Sequence, residues 1–166
     1  IFYNSIDVYK KLKIMQTKLD FKIFEVYHSD FSWADSMSKI NDHDVDCMIK
    51  ISENVGRHIL CKNKKICKVP IDLRKFIKKN KKTSRSIFGI DNGRSIGVIS
   101  RISKEKNLEY ILDLSKEMKN HTFYIVGDGP GRRNLEKLIN KNKCTNIKII
   151  GWINDVSNII NAFDAI

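Results

Sequence analysis

Two cations, Arg101 and Lys106, stand just past a short apolar run, Ser95-Ile96-Gly97-Val98-Ile99-Ser100, with a helix-spaced segment behind them. A guanidinium can bind an anion bidentately, an ammonium acts as a point charge, and a helix N-terminus adds partial positive charge. Together they can stabilise negative charge without a metal. A second stretch, Gly127-Asp128-Gly129-Pro130-Gly131, invites a dinucleotide reading, but position 132, where the Gly-x-Gly-x-x-Gly fingerprint needs its last glycine, is an Arg. It reads instead as a tight turn with Pro130 at a helix start, and NAD is disfavoured. A third loop, Gly151-Trp152-Ile153 through Asp155, precedes another helix-spaced segment, for which Asp155 is a suitable cap.

Three repeats of strand, turn and helix would position these loops. The strands are SIGVIS (95–100), TFYIV (122–126) and NIKII (146–150), apolar runs of the kind that helices cover on both faces. The segments after them carry stripes at helical spacing: Leu108, Ile111, Leu112 and Met118; Leu135, Leu138 and Ile139; Val156, Ile159, Ile160 and Phe163. This alternation predicts parallel βαβ units, whose ligands bind in the crevice beyond the carboxyl ends of the strands. The earlier part of the chain repeats the pattern. It predicts a helix over 3–19, a strand at 21–28, a helical piece in 31–40, a strand at 44–52, a helix over 52–60 capped by Ser52, and a strand at 65–69. Residues 72–92, rich in Lys, Ser, Asn and Gly, read as a linker ending near Asn92-Gly93.

The 166 residues include 31 basic and 19 acidic side chains, a net charge of +12. Such a charge suits nucleic acid, anionic lipid or a phosphorylated substrate, and it also follows from a shared abundance of Lys, Asn and Ile with no partner at all. The Lys-rich runs at 62–68 and 74–82 contain a single aromatic, Phe76, so nucleic acid is not expected. No uncharged apolar run approaches the ~20 residues that span a bilayer. The scattered cysteines at 47, 61, 67 and 144 fit reduced thiols in a cytosolic compartment, and Cys61 and Cys67 lack zinc-site spacing. Beginning at Ile1 and stopping at Ile166, where another apolar strand opens, the chain reads as a fragment.

Four pieces in register carry a resemblance. They are Ser100-Arg101-Ile102 with Lys106-Asn107; Ile125 through Pro130, then an Arg and Leu135-Glu136; Gly151-Trp152 with Asp155-Val156; and Ala162-Phe163-Asp164. In this order they resemble the donor-binding domain of the family 4 (group 1) retaining glycosyltransferases, which have the GT-B fold. Ile51-Ser52-Glu53 and Val69-Pro70-Ile71-Asp72 resemble the end of that family's first domain. The resemblance implies an α/β protein of two Rossmann-like domains, both truncated: 1–71 the C-terminal part of the acceptor-side domain, 72–92 the linker, and 93–166 the first half of the nucleotide-sugar-binding domain. It implies a hexosyltransferase of polysaccharide biosynthesis that moves a sugar from a nucleotide-sugar donor to a glycan or lipid-linked acceptor, with retention of configuration. The fragment alone is expected to be inactive.

The resemblance also implies roles. Arg101 and Lys106 would bind the diphosphate and assist its departure. His28 would face the donor sugar, with an ordinary packed or solvated ring as the alternative. Gly127, Asp128, Gly129, Trp152 and Asp155 would line the site near the base, Asp128 reading equally as a turn residue and Asp155 first as a cap. The donor is a substrate, so no cofactor and no metal is expected. The location implied is cytoplasmic, with the basic linker resting on the anionic inner face of a membrane.

Some residues depart from the family or mimic it. Ser100 stands where the family has Gly, and the family's Asn-Gly after the Pro is absent. Glu109 and Glu117 have the spacing of the family's Glu-x7-Glu motif, but they fall on the first helix of the donor domain and read as a solvated face; the family's own pair would lie beyond Ile166. Asp42-His43-Asp44 mimics a metal motif of another fold and reads as a turn. Two alternatives stay open. A sugar-nucleotide epimerase of similar architecture would need acid/base residues at the cleft, and a non-catalytic basic module would show salt-steep nucleic-acid affinity.

Overall fold

The computed structural model describes residues 6–27, 45–55 and 63–166. The chain divides into two compact units, Ile1–Ile71 and Asp72–Ile166. His28, the helical piece expected in 31–40, Asp42-His43-Asp44 and Cys61 lie outside the described residues.

In the first unit, α1 (Ile6–Gln16) precedes three parallel strands, β1 (Phe24–Tyr27), β2 (Cys47–Lys50) and β3 (Lys64–Ile66), in the order β1-β2-β3. Leu12 of α1, Ile23 and Met48 are buried. Asp46 fastens the helix to the sheet: its Oδ2 accepts from the Ile23 N–H at 2.7 Å and from the Gln16 amide at 2.9 Å. The Ile23 bond above all holds this carboxyl below its ordinary range. Residues 51–54 bend, and residues 56–60 of the helix expected over 52–60 lie outside the described residues.

The second unit contains α2 (Lys81–Phe88), β4 (Arg94–Ile99), α3 (Tyr110–Glu117), β5 (His121–Val126), α4 (Arg132–Lys141), β6 (Ile147–Gly151) and α5 (Val156–Ile159). The strands are parallel, in the order β4-β5-β6. Side chains alternate across a sheet, and β5 shows it. Phe123 and Ile125 enter a cluster with Leu108, Ile111, Leu112 and Leu135, on the face covered by α3 and α4. Tyr124 and Val126 enter another with Ile90, Ile159, Ala162 and Phe163, on the face of α2 and α5. After α5 the chain returns, and Ala165 pairs in parallel with Ile96 of β4. The other edge of β4 is taken by β5, so the strand order reverses at β4. Doubly wound sheets bind their ligands at such a reversal.

The stretch 72–92, expected as a linker, is instead part of this second unit and contains α2. The reason is Arg85, which is only 8% exposed. Its Nε donates to the Ala162 carbonyl at 2.9 Å, and its Nη2 to Ser95 Oγ and Asp164 Oδ2, each at 2.8 Å. Asp164 Oδ2 also accepts from the Ser95 N–H at 2.7 Å, and its Oδ1 from Lys81 Nζ at 2.8 Å. The Lys81 bond first, then the Ser95 N–H, hold the Asp164 carboxyl far below its ordinary value of 3.8. A carboxyl whose pKa is depressed on folding adds stability above its unfolded value, and that stability is lost as protons return. The free energy of unfolding is therefore expected to fall as the pH drops below about 4, and to fall less steeply in Asp164→Asn. Urea titrations of both proteins across that range measure the difference.

Candidate functional site

The carboxyl ends of the three strands are tied together by main-chain bonds. The Ser100 N–H donates to the Val126 carbonyl at 3.0 Å, Ile102 to Asp128 at 3.0 Å, Gly131 to Ile102 at 2.9 Å and Gly127 to Gly151 at 2.7 Å. Glycine is required because the backbones touch. A Cβ on Gly127, whose φ is +143°, would lie 2.0 Å from the Ser100 oxygen, and one on Gly129 would lie 2.3 Å from the Ile102 oxygen. The loop bearing Arg101 is thus held against the loop after β5 by its backbone.

Arg101 is exposed just beyond β4, and Lys106 ends a 3-10 turn, Lys104–Lys106. Asn107 follows in the left-handed region at φ 47°, which separates Lys106 from α3. The helix expected from the 101–118 segment therefore begins at Tyr110. Neither cation makes a side-chain hydrogen bond or ion pair among the described residues. Both reach Glu105 electrostatically. Its carboxyl is held below the usual range first by the Ser103 hydroxyl, which donates at 2.6 Å, then by its own backbone N–H, with Arg101 and Lys106 adding their charge.

The other named residues divide between structural work and open exposure. Asp128 accepts from the Gly129 N–H at 2.7 Å and from Arg132 Nη1 at 2.8 Å, so its carboxylate builds the turn. Arg132 also donates to Glu136 at 2.8 Å and would be 3.5 Å from a Cβ on Gly151. It ties the turn after β5 to the first turn of α4 through Asp128 and Glu136. Asp155 caps α5, accepting from the Ser157 N–H at 3.0 Å. That bond depresses its carboxyl, and Lys75 and Lys79 add to the effect. Trp152 is 73% exposed after the β6 end. Glu109 and Glu117 are exposed on the α3 side, Glu109 accepting from Asn134 at 3.2 Å. A concavity of about 430 Å³ opens beside the same loops, lined by Ser103, Lys104, Asn107, Gly131 and Asn134 among others, but not by Arg101 or Lys106. No group of three His, Cys, Asp or Glu suited to a metal occurs among the described residues. No helix among them is long and apolar enough to cross a membrane.

This arrangement has relatives. Residues 93–166 match the family model described as glycosyl transferases group 1. Alpha-D-kanosaminyltransferase of Streptomyces kanamyceticus is 37% identical over 59 residues, covering 33% of this chain and 15% of that protein. Among solved structures, Anabaena HepE in complex with UDP and glucose is similar with a TM-score of 0.82 at 17% identity, over 99% of this chain and 50% of that one. S. aureus TarM, solved with UDP among its ligands, has a TM-score of 0.65 at 16% identity, over 84% of this chain and 30% of that one. The chain thus spans half the length of HepE. The fold is the parallel α/β architecture of GT-B glycosyltransferases, and the group 1 match falls within the second unit. These matches do not favour the epimerase or the binding-module alternatives.

Proposed function

We propose that the chain is part of a group 1, family 4 glycosyltransferase that moves a hexose from a nucleotide-sugar donor to a glycan or lipid-linked acceptor with retention of configuration. On this reading 1–71 belongs to the acceptor-side domain and the second unit to the donor-side domain. The observation that carries the reading is the pair Arg101 and Lys106. Both are exposed and lack a hydrogen-bonding or ion-pair partner among the described residues, and the loop bearing Arg101 is fastened where the strand order reverses. Support also comes from the group 1 match over 93–166 and from the UDP bound in HepE and TarM.

Glycosyl transfer leaves negative charge on the departing diphosphate as the glycosidic bond breaks. Arg101 would take two of its oxygens, and Lys106 would add a point charge nearby. The exposed Trp152 ring would offer the base an apolar face, with the Gly127–Gly129 turn beside it. The chemistry proposed needs no metal or cofactor.

The test is titration of the full-length enzyme with UDP and other nucleoside diphosphates. Arg101→Ala should weaken binding about 100-fold and Lys106→Ala about tenfold, with melting temperatures unchanged, since both side chains are exposed. Equal affinity in Arg101→Ala and the parent removes Arg101 from the site. No binding by the parent removes the donor reading.

A further inference from the structure

The concavity beside the Arg101 loop has no part in holding a diphosphate, since neither Arg101 nor Lys106 lines it. Its volume of about 430 Å³ falls in the ordinary range of ligand sites, about 300–1,000 Å³. The floor is apolar and packed into the core: Ile102 is 2%, Leu108 8% and Leu135 3% exposed. Its two walls, the loop after β4 and the start of α4, are joined by the Gly131 N–H, which donates to the Ile102 carbonyl at 2.9 Å. Exposed polar side chains stand around that floor: Lys104, Asn107, Glu109 and Asn134. The Lys104 ammonium and the Asn107 amide make no side-chain hydrogen bond or ion pair among the described residues. Asn134 Nδ2 donates to Glu109 Oε1 at 3.2 Å, which leaves the second carboxylate oxygen and the amide oxygen unengaged.

This lining selects a chemistry. One ammonium and one carboxylate balance, so a phosphate gains no net attraction and meets Glu109 at the rim. No aromatic ring lines the space, so a nucleobase finds no stacking platform. A neutral, hydroxyl-rich ligand fits both parts. Its hydroxyls can donate to the Glu109 carboxylate, exchange hydrogen bonds with the Asn107 and Asn134 amides and accept from Lys104, while the C–H face of a sugar ring lies on the aliphatic floor. We propose that this concavity binds one sugar unit of the acceptor glycan. The sugar to be transferred is attached to the diphosphate and stays with Arg101 and Lys106, so a saccharide held here is a second one. A single loop thus serves both ligands, residues 101 and 106 facing the diphosphate and residues 102, 104 and 107 the glycan. Calling that glycan the acceptor rests on the transferase reading; saccharide binding itself does not.

Full-length enzyme is titrated calorimetrically with three neutral trisaccharides, maltotriose, cellotriose and chitotriose, and separately with UDP. At least one trisaccharide should bind in the millimolar range or tighter. Glu109→Gln combined with Asn134→Ala should weaken it at least tenfold, and Asn134→Trp, which fills the mouth with a ring, should abolish it. Both side chains are exposed, so melting temperatures and UDP affinity should stay as in the parent. Arg101→Ala should do the reverse, weakening UDP and leaving the trisaccharide unchanged. A parent that binds the trisaccharide but not UDP, and loses the trisaccharide in Asn134→Trp, supports the saccharide site while removing the donor reading. The proposal is overturned if the parent binds none of the three. It is equally overturned by parental trisaccharide affinity in Asn134→Trp, or by equal loss of the trisaccharide and UDP in Arg101→Ala.

Discussion

Gly127→Ala is expected to destabilise the second unit by about 3 kcal/mol and, on the donor-binding reading proposed above, to abolish nucleoside diphosphate binding with it. The added Cβ would lie 2.0 Å from the Ser100 oxygen and 2.9 Å from its carbonyl carbon, at a φ of +143° that side chains rarely adopt. The obstacle is backbone, and that backbone cannot step aside freely. Ser100 is bonded to Val126 and Ile102 to Asp128, so relief means breaking the ladder that holds the Arg101 loop. Gly93→Ala is the matched control, because nothing lies within 4 Å of its Cβ. Chemical denaturation of both variants gives the comparison. A Gly127→Ala protein within about 0.5 kcal/mol of the parent would mean that the loops are not in contact.

The second large effect is at Arg85, where alanine should cost about 3 kcal/mol. The side chain is buried and joins α2 to the start of β4 and to the segment after α5 through three hydrogen bonds. Truncation leaves the Ala162 carbonyl short of a donor and opens a gap beneath α2. Asp164 would keep Lys81 and the Ser95 N–H, so the loss is set mainly by the buried acceptors and the lost packing. Arg85→Lys should recover only part of it, because an ammonium cannot reproduce the planar fork. Lys81→Ala, removing an exposed partner of the same carboxylate, should cost under about 1 kcal/mol. If Arg85→Ala unfolds at the same urea concentration as the parent, the node does not hold α2 in place.

Much of the second unit was legible because its signals are local. The apolar run TFYIV, the stripes of the following helices and the three loops at the strand ends all come from neighbouring residues, and they appear as β5, α3, α4 and α5. Arg101 and Lys106 fall beyond the end of β4, where their order in the sequence places them. α2 was not legible. Its exposed side carries Ile87 and its buried side carries Arg85, so the apolar pattern points the wrong way, and the partner that explains it, Asp164, lies 79 residues away in sequence. The start of α3 at Tyr110 is set by Asn107, whose left-handed conformation stops the preceding turn. Asp155 caps α5, as its place before a helix-spaced segment implied, and Asp128, read equally as a turn residue, builds its turn. Arg132 was read as part of a pattern, while its pairing with both Asp128 and Glu136 depends on α4 beginning at that residue.

The stitched strand ends have a consequence for the energetics of capture. A flexible phosphate-gripping loop must be frozen by its ligand, and that ordering subtracts from affinity. Here the main chain around Arg101 is already frozen by carbonyl partners on the next loop, leaving chiefly side-chain rotations to be restricted. Restricting two long cationic side chains costs about 1–3 kcal/mol, so preorganisation reserves most of the attraction for the ligand itself.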